Sequence, residues 1–406
     1  MNKKLYWIWI SLALGPGSSC LQKLLSAFDN SVEEIYKADR SDYKKSKVKL
    51  TDKRISALSN KSLEDAELIY DWCENNNVGI LCYDDEKYPK RLAAIPDAPA
   101  VLYYIGKLYD IDSMLCIAGV GTRSMTKYGH DTAYTFCYDL AKSGAIIVSG
   151  MALGIDTACH RGALDSGGRT ITVLGCPINR AYPYENRSLM VEIARNGLIL
   201  TEYPVFFETR RSCFPQRNRI ISGLCQGTIV FEADVGSGAL ITASHAVKQG
   251  RQVYALPGKI GEENSLGTNE LIKNGARIIT NAGDIIDEFG YLYPKQISSH
   301  RVYDYSPASK VYDSFLERKA SHKAKKAEPP KSEETEPQPL DTAGLTETEA
   351  KIYNEMTFGK AVSTEELIFD NIPFADVISS LTMLEIKGYI EPAPGGKYYK
   401  TGLRNK

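Results

Sequence analysis

Arginine, small hydroxyl residues and glycine, the residue types that bind phosphate, recur where short apolar runs end in this chain of 406 residues. One such turn contains Gly121, Thr122 and Arg123, and the next contains Ser149 and Gly150. A glycine turn ahead of a helix presents free backbone amides, and arginine adds a charged fork of donors. Both turns are therefore predicted to bind an anion.

A third candidate is the stretch 210–219, which has four arginines in ten positions and a phenylalanine among them. Its predicted contacts are Phe214, Arg217, Asn218 and Arg219. Arginine beside an aromatic ring suits a phosphate together with a stacked base. A solvated helix start with ion pairs to nearby acids explains the same residues, and both interpretations stay open.

Two further turns have the same character, because glycine and a hydroxyl residue precede a helical pattern in each. Their predicted anion contacts are Ser237, Gly238, Thr242, Gly267, Thr268 and Asn269. Several such turns on one edge of a sheet favour a ligand with several phosphates, such as a polynucleotide strand.

Nucleotide cofactors are disfavoured. The turn that starts at Gly119 begins like the GxGxxG fingerprint of dinucleotide-binding proteins, but Ser124 occupies the position of the third glycine. The next strand is also not followed by an acidic residue placed to bind a ribose hydroxyl. No GxxxxGK[ST] stretch is present. The nine cysteines are scattered and form no CxxC pair, so no metal site is predicted and a reduced cytoplasm is expected.

Carboxylates in the same region raise the question of catalysis. Asp156 and His160 lie four residues apart and could form an acid–base pair, but a capping and packing role is favoured. Glu202 and Glu232 end apolar runs, where a carboxylate more often caps a helix or pairs with arginine. No catalytic residue is predicted.

The elements that must position these turns are short, almost continuous apolar runs separated by helical patterns. This alternation is typical of a parallel sheet covered on both faces, so the fold class is α/β with an extended Rossmann-like sheet over 77–297. The predicted strands are 115–120, 145–148, 170–174, 198–201, 228–231, 252–255 and 277–280.

The two ends of the chain differ from this middle region. Residues 1–76 have helical periodicity, and a Gly-Pro-Gly turn at 15–17 suggests a SAM-like or helix-hairpin-helix unit, with a plain helical hairpin favoured. The interval 298–340 is rich in lysine, glutamate and proline and is predicted to be a disordered linker. Residues 341–406 show three short helices and a terminal hairpin, which predicts a winged-helix domain.

Taken together, the motifs of residues 80–280 resemble the DNA-processing protein A (DprA/Smf) family. The motifs are Gly121-Thr122-Arg123, the stretch 149–156, Tyr182-Pro183, Glu202-Tyr203-Pro204, the stretch 214–221, the stretch 237–242, Pro257-Gly258 and Gly267-Thr268-Asn269. Each motif is weak alone, but their order and spacing are specific.

The resemblance implies a protein that binds single-stranded DNA, forms a homodimer through its Rossmann-like domain and loads RecA recombinase during natural transformation. It implies no catalytic turnover and no cofactor. It also implies a DNA pocket formed by Gly121 to Arg123, Ser149-Gly150, Phe214, Arg217 to Arg219 and the turn 237–242.

Two other functions are compatible with parts of the sequence. A phosphoribohydrolase-like enzyme on a related fold could use Glu202 or Glu232 on a ribose, and free base released from a nucleotide would identify it. A duplex-reading regulator could use the C-terminal domain, but Lys397 and Lys400 are the only cations of its wing.

The apolar run 5–14 resembles part of a secretion signal, but it ends in Gly-Pro-Gly and not in a small-residue cleavage site, so a cytoplasmic protein is expected. No stretch approaches the roughly 20 apolar residues that span a bilayer, so no membrane span is expected.

Overall fold

The computed structural model describes residues 2–297, 338–367, 369, 372–393 and 397–403. The chain divides into two compact units, the first comprising 1–178 and 182–299 and the second 179–181 and 300–406. The predicted linker lies outside the described residues except for its last three positions. Of these, Gln338–Pro339 form a short strand.

The N-terminal part of the first unit consists of helices. They are α1 (Lys3–Leu14), α2 (Leu21–Ala27), α3 (Val32–Lys37), α4 (Arg40–Lys45), α5 (Asp52–Ser59) and α6 (Glu64–Asn75). Helix α1 is central because it packs against α3, α5 and α6 and buries Trp7, Ile8 and Ile10. Side-chain caps by Ser31, Asp39 and Thr51 begin α3, α4 and α5.

A nine-stranded sheet forms the centre of the first unit. Its strands are β1 (Gly79–Cys82), β2 (Val101–Gly106), β3 (Cys116–Val120), β4 (Ile146–Ser149), β5 (Arg169–Leu174), β6 (Leu198–Thr201), β7 (Gly227–Val230), β8 (Gln252–Ala255) and β9 (Arg277–Ile278). The seven strands predicted from apolar runs are present, and the α/β class with a large, mostly parallel sheet is confirmed. Sequence reasoning missed β1 and β2, which add antiparallel to β6 at one edge.

The strand order is β1-β2-β6-β5-β4-β3-β7-β8-β9. The chain moves outward from β3 through β4 and β5 to β6, and then returns to place β7 on the other side of β3. This reversal is a topological switch point, where loops at the carboxyl ends of β3 and β7 diverge and leave a crevice.

Helices cover the sheet. The helices that follow in the first unit are α7 (Lys90–Ala93), α8 (Lys127–Lys142), α9 (Ile155–Asp165), α10 (Arg187–Asn196), α11 (Cys213–Gly223), α12 (Gly238–Lys248), α13 (Glu263–Lys273) and α14 (Gly283–Phe289). Helices α8 and α9 pack on each other, as do α11 and α12. Right-handed crossovers put these two pairs on opposite faces, because the chain changes direction between them.

The second unit has its own core. Its elements are β10 (Gln338–Pro339), α15 (Glu347–Glu355), β11 (Val362–Ser363), a 3₁₀ turn (Glu365–Leu367), α16 (Phe374–Ile386), β12 (Ile390–Ala393), β13 (Lys397–Lys400) and β14 (Gly402–Leu403). Strands β12 and β13 pair antiparallel, and the turn predicted between them lies outside the described residues. The sequence predicts the second of the three helices over 364–369, and the structure describes a 3₁₀ turn at Glu365–Leu367.

In the described part of the chain, no helix is long and apolar enough to cross a bilayer. All nine cysteines lie within that part, and each is buried and free.

Candidate nucleic-acid interface

The loops after β3 and β7 are tied together at the switch point. The amide of Thr122 donates to the carbonyl of Glu232 at 2.8 Å, and the amide of Ile155 donates to the carbonyl of Thr122 at 3.2 Å. A side chain at Gly121 would approach Ile155 to 2.4 Å, so glycine is required for this close packing. Arg123 follows Thr122 in this loop, and it is exposed. The loop is therefore fixed while its arginine faces solvent.

The loop after β4 is also rigid, and its predicted ligand groups are already used. Ser149 is fully buried, and its hydroxyl donates to the carbonyl of Gly119 at 2.7 Å. Asp156 accepts the amides of Gly150 and Ala152 at 3.1 and 3.2 Å. Ser149 therefore shapes the strand end and offers no free hydroxyl to a ligand.

Arg217 fixes this loop from the other side. Its side chain is 4% exposed, and Nη1 donates to the carbonyl of Gly150 at 2.7 Å and to the carbonyl of Val173. Burial lowers the pKa of Arg217, and the nearby charge of Asp156 opposes that shift. A direct phosphate contact would require a guanidinium that faces solvent. The guanidinium of Arg217 instead joins the ends of β4 and β5 inside the protein.

Arg219 is internal as well. Its guanidinium is paired with Glu202 at 2.7 Å and with Asp97 at 3.3 Å, and the side chain is 1% exposed. Burial alone would lower the pKa of Arg219, but the two carboxylates raise it. The ion-pair interpretation of this arginine, left open by the sequence, is the one that its geometry matches.

The aromatic residue of the same helix is accessible. Phe214 is half-buried and lies against Gly175, directly after β5. The ring of Tyr182 lies 4.9 Å from the ring of Phe214 and is 49% exposed. The two rings form a partly open apolar surface at the carboxyl edge of the sheet. Tyr182 was not among the predicted DNA contacts. An aromatic residue before a proline, in a loop that follows a strand, was a signal that could have identified it.

Helix α12 begins after β7, farther along the same edge of the sheet. Ser237 caps the helix by accepting the amide of Ala239 at 3.3 Å, and Gly238 is exposed. Asn218 donates from Nδ2 to the carbonyl of Gly238 at 3.3 Å, which links α11 to this helix start. Thr242 is 1% exposed and lies inside the helix packing. The amides of Ala239 and Leu240 donate to Ser237, so the amide of Gly238 and the hydroxyl proton of Ser237 are the groups suited to an anion, whereas Thr242 is not accessible to one.

Gly267, Thr268 and Asn269 do not form the turn that was expected. Helix α13 begins at Glu263, so the three residues lie in its interior and its free amides come earlier in the chain. The side chain of Asn269 donates to the carbonyl of Gly258 at 3.0 Å and accepts its amide at 3.1 Å. This segment holds the loop after β8 in place. The polar residues 262–264 concealed the helix start in the sequence.

The carboxylates considered for catalysis have structural partners. Glu232 is 3% exposed and accepts both the amide and the hydroxyl of Thr126, at 2.9 and 2.5 Å, so it holds the residue that caps α8. His160 forms a hydrogen bond of 2.7 Å with Thr170, and burial lowers its pKa to about 3. Across the described residues, no cluster of three or more His, Cys, Asp and Glu side chains could hold a metal ion.

The exposed groups form one row along the carboxyl edge of the sheet. Following the strand order β5-β4-β3-β7, the row runs from the Tyr182–Phe214 pair, past Arg123, to the start of α12. Adjacent strands lie about 4.8 Å apart, so the row spans roughly 15 Å. A row of this length can hold a ligand with several anionic groups and at least one stacked ring.

Comparison with known proteins gave consistent matches. The family model for DNA recombination-mediator protein A matches residues 79–290. Protein Smf of Synechocystis sp. is 33% identical over 412 residues, covering 98% of this chain and 99% of the relative. DNA processing protein DprA of Streptococcus pneumoniae is 40% identical over 229 residues, covering 56% of this chain and 79% of the relative. The X-ray structure of DNA processing protein A from Streptococcus pneumoniae aligns with a TM-score of 0.61 and 32% identity, covering 71% of this chain and 99% of that one.

Proposed function

The chain belongs to the DNA recombination-mediator protein A family, and we propose that it binds single-stranded DNA along the carboxyl edge of its sheet. The observation that carries the proposal is the row formed by the aromatic pair, Arg123 and the start of α12. Helix amides and an exposed arginine suit phosphates, and accessible rings suit unpaired bases. Duplex DNA does not present its base faces, so single strands are preferred.

The predicted site residues are given two roles in this proposal. The residues proposed to face DNA are Gly121, Thr122, Arg123, Phe214, Asn218, Ser237 and Gly238, with Tyr182 added. The residues proposed to position them are Ser149, Gly150, Arg217, Arg219, Thr242, Gly267, Thr268 and Asn269, because they are buried or lie within packed elements. Backbone contacts of this kind read little base sequence.

We propose no catalytic turnover and no cofactor. Glu202 is bound to Arg219, and Glu232 is bound to Thr126, the capping residue of α8, so neither carboxylate is free to act on a ribose. Incubation with nucleoside monophosphates is expected to release no free base, and release of free base would favour the phosphoribohydrolase alternative.

Partners and domain roles complete the proposal. Family membership supports homodimerisation, delivery of the bound strand to RecA recombinase and action in the cytoplasm during natural transformation. We also propose that residues 1–76 form a SAM-like domain distinct from 77–297, and that residues 341–406 form a winged helix with an accessory role. Its helices, hairpin and buried core support that assignment.

The test is fluorescence anisotropy of a labelled oligo-dT strand titrated with wild type and Arg123→Glu at two salt concentrations, with duplex DNA as competitor. Arg123 is chosen because it is exposed, so charge reversal there leaves the core intact, whereas Arg217 and Arg219 are buried. Salt-sensitive binding that prefers single strands and weakens at least tenfold in the variant is expected. Absence of binding by the wild type would exclude the proposal.

A further inference from the structure

Positive charge is concentrated in one part of the N-terminal helices. Residues 40–54 contain seven lysines and arginines and only two acids, whereas the rest of 1–76 contains five lysines and nine acids. The net charge of residues 40–54 is therefore about +5, whereas the net charge of the whole chain is −1. A local concentration of cations of this kind is the electrostatic signature of a polyanion partner.

Six of these cations are exposed, and we call them the N-terminal basic strip: Arg40, Lys44, Lys45, Lys47, Lys49 and Lys53. They lie on α4, on the following loop and on the first turn of α5, and the two helices pack together. Among the residues that the structure describes, no carboxylate lies within 4.0 Å of their charged groups. By contrast, the exposed Lys37 is paired with Glu34 at 2.8 Å. The charge of the strip is therefore available to an external anion.

The strip is connected to the helix that carries Phe214 through the segment 16–20. The thiol of Cys20 donates to the carbonyl of Lys49 at 3.8 Å and accepts from Nη1 of Arg54 at 3.3 Å. Shortly before Cys20 in the chain, the carbonyl of Pro16 accepts from Nε2 of Gln216 at 2.5 Å.

That glutamine lies on α11, two residues after Phe214. The amide of Gly17 also donates to Glu202 at 3.1 Å, so the Gly-Pro-Gly turn is engaged by the sheet domain and does not itself bind phosphate. The segment 16–20 thus connects the basic strip to the helix that carries the half-buried ring of Phe214.

We propose that the N-terminal basic strip is a second binding surface for the phosphate backbone of the same DNA strand, continuing the path beyond the sheet edge. This inference rests on the proposed function. Lysine ammonium groups bind phosphates as point charges and read no sequence. None of the large hydrophobic side chains exposed in the first unit lies in residues 40–54, so the strip has no apolar anchor for a lipid surface.

The experiment compares two oligo-dT strands, one of about 6 nucleotides, near the low end of the site size for one groove, and one of about 30. The test variant carries Lys44→Gln, Lys45→Gln, Lys49→Gln and Lys53→Gln, which removes charge but keeps helix-compatible side chains. The matched control carries Lys23→Gln, Lys37→Gln, Lys142→Gln and Lys248→Gln, four exposed lysines outside the strip. Circular dichroism melts verify that both variants fold.

We expect the test variant to bind the long strand roughly tenfold more weakly at low salt, with a slope of log K against log salt that is shallower by about 0.7 for each phosphate that the variant no longer neutralises. Binding of the short strand is expected to stay within about twofold of wild type, and the control to match wild type with both strands.

Equal losses for both strands, or no loss for the long strand, would overturn the inference while leaving the proposed function standing. Binding of anionic vesicles through the strip without any effect on the long strand would also overturn it. No binding of either strand by wild type would overturn both.

Discussion

Arg219 and Glu202 form an ion pair of 2.7 Å whose side chains are only 1% and 8% exposed. The pair joins α11 to the end of β6, and Glu202 also accepts the amide of Gly17 from the N-terminal helices. One carboxylate therefore links the sheet, the helix that carries Phe214 and the Gly-Pro-Gly turn. The arginine maintains the arrangement of the interface from beneath it.

Replacing Arg219 with alanine is expected to destabilise the fold by about 3–5 kcal/mol, because Glu202 would be left buried without its cation. Urea denaturation followed by circular dichroism measures the change in free energy of unfolding. The exposed Arg211 offers a matched control, and its alanine variant is expected to stay within about 0.5 kcal/mol of wild type. A stable Arg219→Ala protein that has lost DNA binding would show instead that this arginine contacts DNA.

The burial of Arg217 and Arg219 marks the limit of what the sequence could predict. The parallel strands were predictable because strands buried on both faces are apolar throughout. The candidate binding loops were predictable as well, because ligands bind beyond the carboxyl ends of such strands. The sequence could not separate exposed arginines from internal ones, because the partners of Arg219 lie 17 and 122 residues away in the chain. Only the three-dimensional packing of these segments brings the charges together.

Removing either ring of the Tyr182–Phe214 pair is expected to weaken single-strand binding without changing its salt dependence. Stacking contributes about 1–3 kcal/mol per base, so Phe214→Ala and Tyr182→Ala should each lose roughly fivefold to 160-fold in affinity. Anisotropy titrations across a salt series give both quantities. Arg123→Gln is the contrasting variant, because removing one cation that neutralises a phosphate should make the slope shallower by about 0.7. A changed slope in the ring variants would contradict stacking.

Gly150→Ala is expected to disturb the interface through Arg217. An added Cβ would lie 2.6 to 2.8 Å from the guanidinium atoms, which are held by the carbonyls of Gly150 and Val173 and have little room to move. Overpacking of this kind costs about 1–3 kcal/mol, so both the free energy of unfolding and single-strand affinity should fall. Gly236→Ala is the control, because nothing lies within 4 Å of its added Cβ. Unchanged stability in Gly150→Ala would show that Arg217 moves freely.

His160 is fully buried on α9 and is neutral near pH 7, because burial, with help from the charges of Arg217 and Arg161, lowers its pKa to about 3. The hydroxyl of Thr170 donates to the carbonyl of Ile147 at 2.8 Å, so its oxygen accepts the proton on Nδ1 of His160. The proton is thus held on Nδ1, and Nε2 is buried without a hydrogen-bond partner among the described residues. Protonation of Nε2 would therefore place a positive charge in the protein interior without a hydrogen-bond acceptor among the described residues.

The low pKa of His160 predicts a stability loss in acid. The unfolded histidine takes up a proton near pH 6.5 and the folded one only near pH 3, so the unfolded state binds more protons between these values and stability falls as pH falls through that window. At pH 5 the loss relative to pH 7.5 is about 2 kcal/mol from this group. Urea denaturation of wild type and His160→Gln at both pH values separates this contribution from that of other groups. The His160 variant is expected to lose about 2 kcal/mol less than wild type on acidification. Parallel behaviour of wild type and His160→Gln would mean that the imidazole is protonated in the folded protein.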